Sequence, residues 1–582
     1  MIIDKTMKIF NIYNKVLFGS LAFVAVMLTG CDKLDEVPDN RTEIDSPEKV
    51  LQLLASAYPE VSPAVISELS GDNLVDDNVV VPATHSSAYY DFHDEAYAWK
   101  DINNYSLGTS DTPYNVWQSF YSSISTCNHA IEAMKELSND PANDLALRPA
   151  WGEAHVLRAF MHFLLANLFA EAYTDDARNV ANIGIPYVTD PETTVHVDYS
   201  TSKYLHNLKE TYALIEKDLL EGIDCIDDNV YPVPAYHMNK NAANAFAARF
   251  YLSTRQYEKC LKYADAALGS NPSSMLRNWR GINKNTVYTR RNSYHDEAAN
   301  CNFLIQTTYS QLWRMLVSVP RYVINDGTTF RQDGRTYNVK SSLKATLYGS
   351  GPCWSNIMPC YDGMLLVNGY GQQYGVYMAS VVEYFEYVDK IAGIGYVHLI
   401  YHPLTADETL LCRAEAKLYL GDRAGAITDL SYWTASRMCT KALTMDNISK
   451  FYDRSEENIF VNELHPAEMG FTKVLEGDDA SVLDCILHFR RIEGVQEGLR
   501  WFDIKRYGMN ITHYYRGPMQ DNVTIDNLNW NDKRRVLQLP KNVIDAGYPA
   551  NRTTNATDGS KTGTGYQICS DNGGSIIEFR GK

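Results

Sequence analysis

The segment Glu497-Gly498-Leu499-Arg500-Trp501-Phe502-Asp503 sets two carboxylates around an arginine in a stretch of helical character. Paired carboxylates do general acid–base work, but a six-residue separation on a helix does not bring them onto one face. The favoured reading is structural, with Arg500 and Arg506 paired to scaffold carboxylates. His398 and His402 have the spacing of two metal ligands on one helical face. Gly393, Gly395 and Pro403 surround them and no H-E-x-x-H is present, so no metal is assigned. His155 and His162 lie on a strongly patterned apolar helix and read as packing residues. The chain has no G-x-S-x-G elbow and no P-loop, and Gly369-x-Gly371-x-x-x-Gly375 misses the dinucleotide spacing. No catalytic residue and no cofactor follow.

The aromatic supply is more suggestive. The chain holds 40 Tyr and 9 Trp. Flat rings on rigid loops bury area with little loss of side-chain entropy. The apolar faces of sugar rings stack on them, while sugar hydroxyls need Asn, Asp, Arg or Gln alongside. Two loop clusters fit. One holds Tyr89, Tyr90, Tyr97 and Trp99, with Asp91 and Asn103 nearby. The other holds Trp279, Tyr288, Tyr294, Trp313, Tyr322, Tyr348 and Trp354. Tyr89, Tyr90, Trp99, Trp313, Tyr322 and Trp354 are the candidate ligand contacts. The bland alternative is that most of these rings are core or partner interface.

The first thirty residues do not read as fold. Lys5, Lys8 and Lys15 precede an apolar run from Val16 to Leu28, too short to span a bilayer comfortably. Leu28-Thr29-Gly30-Cys31 follows, with small residues ahead of a thiol that would carry the lipid. Residues 1–30 are therefore expected to be a lipoprotein signal peptide, with Cys31 the lipidated residue. Residues 31–45, polar and acidic, are expected to form a flexible tether. No later stretch approaches the length of a membrane span. The net charge of −18 argues against nucleic acid or an anionic membrane face as the ligand. Of the other cysteines, Cys353 and Cys360 flank a tight Pro/Trp segment and are the first pair to test for a disulfide.

The elements that must position these residues are mostly helical. Ser46-Pro47 opens a helix running to about Tyr58. Further helices are expected over Tyr114–Leu137, Pro149–Tyr173, Lys203–Ile226 and Ala480–Gly508. Asn239–Pro272 has the length and small-residue pattern of a tetratricopeptide-type hairpin, and Ala406–Ser436 repeats it. A weak echo links Leu157-Arg158-Ala159, Ala248-Arg249 and Cys412-Arg413-Ala414. Four hairpins follow: Ser46–Leu137 with a long insertion, Trp151–Ile226, Asn239–Leu268 and Ala406–Arg437. The body, 46–582, carries irregular insertions near 70–112 and 273–401, and its tail from Asp521 reads as loop and short strand.

An ordered set of segments resembles the SusD/RagB family of surface nutrient-binding lipoproteins. Besides Leu28-Thr29-Gly30-Cys31, it comprises Glu68-Leu69-Ser70-Gly71-Asp72-Asn73, Gly152-Glu153-Ala154 with Leu157-Arg158-Ala159-Phe160, and Tyr212, Ile215, Asp218 and Leu219. It continues with Ala414-Glu415-Ala416 and Gly421, then Glu497 through Arg506. Ile504 replaces the family's usual Leu, and Leu539-Pro540 with Gly547-Tyr548 is a loose version of its close. The resemblance implies a mostly α fold: four tetratricopeptide-like hairpins as scaffold and an irregular, loop-rich lobe carrying the ligand face. It also implies a SusC-like TonB-dependent outer-membrane barrel as partner, capped by this chain as by a hinged lid.

The expected function is therefore non-enzymatic: a lipid-anchored, surface-facing outer-membrane protein that binds nutrient glycans and hands them to the barrel. The same architecture binding peptides is the alternative. A surface hydrolase and a tetratricopeptide adaptor with only a protein partner are less favoured.

Overall fold

The structure is a computed structural model. It describes residues 44–76, 91–102, 110–192, 197–285, 287–318, 321–324, 328–330, 336–338, 349–355, 358–361, 366–370, 373–453, 462–515 and 524–552. Its helices are α1 (Pro47–Ala55), α2 (Ala64–Ser70), α3 (Asp91–Tyr97), α4 (Pro113–Leu137), α5 (Arg148–Phe169), α6 (Asp176–Ala181), α7 (Leu208–Gly222), α8 (Lys240–Ser253) and α9 (Tyr257–Leu268). They continue with α10 (Trp279–Asn283), α11 (Val287–Tyr294), α12 (Ala406–Tyr419), α13 (Arg423–Ser436), α14 (Met445–Phe451), α15 (Gly477–Glu493), α16 (Leu499–Arg506) and α17 (Lys541–Asp545). The fold is mostly α.

Local chemistry sets the helix starts. Thr112 caps α4 by accepting the Asn115 amide, with Pro113 at the first helical position. Asn207 and Glu210 form a reciprocal capping box at α7. Asn239 caps α8 and Thr405 caps α12. Helix α5 packs against α4 and α7, α8 against α9, and α12 against α9, α13 and α15. The arginines of the sequence echo pin these pairs. Arg158 on α5 grips Asp218 on α7 through Nε (2.8 Å) and Nη2 (2.6 Å). Arg249 on α8 meets Glu408 on α12. Arg413 on α12 meets Asp429 on α13 and Asp265 on α9.

Gly152 explains why α5 and α7 come so close. A Cβ there would lie 2.7 Å from the Ile226 amide nitrogen and 2.9 Å from the Gly222 carbonyl oxygen. Gly222 is equally tight against Gly152. Gly152→Val is expected to cost at least about 1–3 kcal/mol, the usual range for overpacking. A thermal melt checks this; an unchanged melting temperature would show that the approach is not required.

The strand content is modest. β2 (Asn302–Thr308), β9 (Ile394–Thr405) and β8 (Tyr384–Asp389) form an antiparallel sheet in that order, with Thr308 opposite Leu399 and Tyr384 opposite His398. Two-stranded ladders pair β1 (Val75–Asp76) with β3 (Tyr322–Val323), β4 (Thr328–Phe330) with β5 (Thr336–Asn338), β6 (Leu366–Tyr370) with β7 (Gln373–Tyr377), and β10 (Ile511–Tyr515) with β11 (Thr524–Leu528).

Three local expectations change. The helix expected over Ala480–Gly508 is two helices, broken where Gln496 and Gly498 take φ of 63° and 77°. At Gly498 a side chain would also meet the backbone of Ala64, 2.9 Å away. His398 and His402 lie on strand β9, so the helical spacing does not apply. His402 instead stacks on His295, with ring centroids 4.9 Å apart. Cys353 and Cys360, the first pair to test for a disulfide, are both buried free thiols.

Candidate ligand-binding site

Helix α4 has no Asp, Glu, Lys or Arg from Pro113 to Ile131, in a chain with 124 such residues (53 basic, 71 acidic). Its inner positions Val116, Trp117, Phe120 and Ile124 are buried, as helical periodicity requires. Its outer positions are hydroxyls and amides from Asn115 to Thr126, namely Asn115, Gln118, Ser119, Ser122, Ser125 and Thr126, with the exposed His129 following. Short neutral side chains of this kind exchange hydrogen bonds with a neutral ligand at little cost in entropy or charge desolvation.

An open cleft of about 780 Å³ lies along one side of this face. Asn115, Gln118, Ser119 and Ser122 form one wall, with Tyr58, Glu60, Ser110 and Tyr309 opposite. The volume falls in the range of about 300–1,000 Å³ common to small-ligand sites. The rim is tied together by its backbone. The Tyr309 amide donates to the Glu60 carbonyl (2.8 Å), the Glu60 amide to the Ser119 hydroxyl (3.2 Å), and the Ser110 hydroxyl to the Tyr309 carbonyl (2.7 Å). Tyr58 is held from behind. Its hydroxyl donates to the fully buried Glu153, which also accepts from Tyr231 (3.0 Å) and contacts His237 Nδ1 (2.9 Å). Glu153 is the acid of the Gly152-Glu153-Ala154 segment, so that motif steadies a cleft residue as well as the helix.

Tyr309 follows β2 directly and is 39 % exposed. Tyr396 on β9 is 59 % exposed, and the two ring centroids are 6.5 Å apart. Because β9 runs past the end of β2 toward its turn with β8, it carries this second ring out beside the first. The result is a hollow lined by hydroxyls, amides and the Glu60 carboxylate, with the accessible Tyr309 on its border and Tyr396 beside that ring. Such an arrangement can stack an apolar ring face while hydrogen-bonding a neutral, hydroxyl-rich edge.

The residues expected from sequence fall elsewhere. Cys31, Tyr89 and Tyr90 lie outside the described residues. Trp99 is in the core: its indole N–H donates to the Ser70 carbonyl (2.9 Å) and its ring stacks on His513 at 4.0 Å. Tyr322 is buried too, hydrogen-bonded to Asp94 and packed 4.8 Å from the Tyr97 ring. The Trp354 indole N–H donates to Gly349 (3.0 Å), and its ring packs near His488 and Phe489. Each of these three uses its polar atom and its ring within the fold. Trp313 is half-buried. The signal that marks the cleft in the sequence is the uncharged run of α4, which the aromatic count hides. Tyr309 and Tyr396 were not singled out, because strand pairing exposes them and local composition does not.

The carboxylates of the Glu497–Asp503 segment are structural. Arg490 and Arg506 both bind Asp503 at 2.9 Å, and Arg506 also pairs with Glu415. Burial would raise the Asp503 carboxyl, but those arginines hold it down at about 2. Glu497 is pushed up to about 8, first by burial and then by the neighbouring carboxyls Glu493 and Glu68 against the pull of Arg277. Burial likewise lifts Glu68 to about 7. An unfolded glutamate titrates near 4.3. Between that value and pH 7–8 each of these two groups holds a proton in the fold that it lacks when unfolded, so the stability each contributes falls as pH rises. The slope is up to about 1.4 kcal/mol per pH unit for each titrating group. Glu497→Gln is expected to flatten a pH series of denaturant unfolding between pH 5 and 8; an unchanged slope would show that Glu497 is charged in the fold.

His155, Asp218 and Glu221 bring one ligand atom each within 4.8 Å of one another. The Asp218 carboxylate, however, is held by the Arg158 guanidinium, whose charge opposes a cation there.

Comparison with known proteins fits this geometry. A family model described as "Starch-binding associating with outer membrane" matches residues 32–252. The SusD-like protein P38 of Formosa agariphila is 23% identical over 455 residues, covering 74% of this chain and 78% of the relative. The chain is similar to SusD-like proteins over these residues and in its fold. Solved structures show the same SusD-like fold. A SusD superfamily protein from Bacteroides fragilis aligns with a TM-score of 0.55 at 15% identity, covering 87% of this chain and 99% of that one. A SusD-like carbohydrate binding protein from Bacteroides vulgatus aligns with a TM-score of 0.53 at 14% identity, covering 86% and 97%.

Proposed function

We propose that this SusD-like chain is a non-enzymatic surface protein that binds nutrient glycans in the α4 cleft. The observation that carries the reading is the cleft itself: an uncharged row of hydroxyls and amides on α4 facing the accessible Tyr309 ring, which has Tyr396 beside it. A neutral polyol is the ligand class such a surface serves best, since the α4 wall offers no charge to pair with an ionic one. The matching family description, starch-binding and associated with the outer membrane, supports the same class. The relative from Bacteroides vulgatus is itself described as carbohydrate binding.

The finer parts of the proposal rest on the sequence. Lipid on Cys31 anchors the chain at the outer face of the outer membrane, and residues 31–45 tether it. A SusC-like TonB-dependent barrel receives the ligand. No helix among the described residues is long and apolar enough to cross a membrane, which accords with a lipid anchor. A tether keeps the lid at high effective concentration beside its barrel without rigid contact.

Calorimetric titration of the protein with starch-derived, β-glucan and mannan oligosaccharides tests the ligand class. Binding of at least one series is the expected result. Binding of peptides with no response to any glycan would replace this reading by the peptide alternative, and turnover of any panel member would replace it by a hydrolase.

A further inference from the structure

We propose that a second sugar-binding hollow lies across the α4 ridge from the first, so that one oligosaccharide chain straddles the helix. This rests on the glycan reading of the first cleft. The second hollow has a volume of about 310 Å³ and shares Gln118 and Ser122 with the first. Those two residues are four apart, so they stand one above the other along a single line of the helix. Asn115 and Ser119 turn to one side of that line, Tyr121 and Ser125 to the other. The distance from hollow to hollow is therefore about one helix diameter, roughly 10–12 Å. A chain ligand crosses it and a single ring does not.

The second hollow has the same division of labour as the first. Its floor is apolar, from the buried Trp117, Ile124 and Val188. Its rim is polar, with Gln118, Ser122 and Ser125 on α4 and Tyr199 opposite. It is also built in advance. The Tyr121 hydroxyl donates to the Pro186 carbonyl (2.7 Å), and the Asn128 amide donates to the carbonyls of Val188 (3.1 Å) and Asp190 (3.3 Å). Arg158 Nη1 in turn donates to the Asn128 side-chain oxygen (2.7 Å), so the wall of the hollow is fixed to the α5–α7 scaffold. The two acids at its edge are occupied: Asp190 pairs with Lys203 at 3.0 Å and Glu192 accepts from Tyr199. The surface left to a ligand is aromatic, hydroxyl and amide, and its occupant is the continuation of the same sugar chain.

The test compares maltotriose and maltoheptaose, or the three- and seven-unit members of whichever panel series binds. Ser125→Trp fills the second hollow from its half-exposed rim without touching the first cleft or the scaffold bonds. Tyr199→Ala removes a rim ring by an independent route. The seven-unit chain is expected to bind the unaltered protein roughly tenfold or more tighter than the three-unit chain, the gain from linking two subsites. Both variants should erase that advantage and leave three-unit binding unchanged. Equal affinity for the two lengths, or a length advantage that survives both variants, would overturn the second hollow and leave the first cleft standing. Loss of a co-purifying barrel protein in Ser125→Trp, with the length advantage intact, would assign the hollow to a protein interface and overturn the proposal. No binding by any series would remove both readings.

Discussion

Asp72→Ala is expected to lower the free energy of unfolding by about 3–5 kcal/mol, the cost of leaving buried charge without its partner. Asp72 receives the Arg500 guanidinium at 2.8 and 3.0 Å, and Arg491 Nη2 lies 3.5 Å from the same carboxylate. Arg491 also donates to the Asp72 carbonyl (2.6 Å) and the Asn73 side chain (2.9 Å). Burial alone would raise the Asp72 carboxyl; Arg491 and Arg500 together hold it well below the usual carboxylate range. Removing it strands the buried Arg500 guanidinium and takes a nearby carboxylate from Arg491, which keeps its bonds to the Asp72 carbonyl and Asn73. The residues joined are 428 apart in the chain, so the loss is of tertiary structure and not of one helix. With typical stabilities of about 5–15 kcal/mol, a change of this size populates unfolded protein. Asp72→Asn keeps the shape without the charge and should cost nearly as much. Denaturant unfolding of both variants checks the claim, and a loss below about 1 kcal/mol for each would show that the arginines find other partners.

The pH dependence of this clamp has a sign. Asp72 and Asp503 titrate lower in the fold than when unfolded, so the stability they confer is complete above about pH 4 and is lost as pH falls below it. Glu68 and Glu497 act in the opposite sense and weaken the fold from about pH 4 toward pH 8.

Tyr309→Ala is expected to weaken glycan binding by about 2 kcal/mol, roughly thirtyfold, with little change in stability. Tyr309 is partly exposed, and the bonds that fix its place, to Glu60 and Ser110, run through its backbone. Alanine keeps those bonds and removes only the ring. Tyr309→Phe should bind almost normally if stacking dominates. Equal losses for Ala and Phe would assign the effect to the hydroxyl. Unchanged affinity in both would move the ligand elsewhere on the surface.

Much of the scaffold was legible in the sequence because its signals are local or chemically paired. Pro47 and Asn239 mark helix starts that the structure reproduces. The arginine echo at 158, 249 and 413 finds a buried carboxylate at each position. Arg500 and Arg506 pair with Asp72 and Glu415, as a structural reading of their segment requires. The ligand face was less legible. A tryptophan in a loop can face solvent or core, and its type does not say which. Trp99 and Trp354 turned inward because a backbone carbonyl waits for each indole N–H. Tyr309 and Tyr396 turned outward because β2 ends while β9 continues, a fact of strand pairing between residues some ninety apart. The uncharged face of α4 was visible all along, but only against the charge of the rest of the chain.

In the proposed function a neutral glycan sits against the uncharged face of α4. A crystal structure of the protein soaked or co-crystallised with the tightest-binding oligosaccharide tests it most directly. Sugar density is expected in contact with Gln118, Ser119 and Ser122, with a ring stacked on Tyr309. Density at any other surface, with the α4 cleft empty, would contradict it.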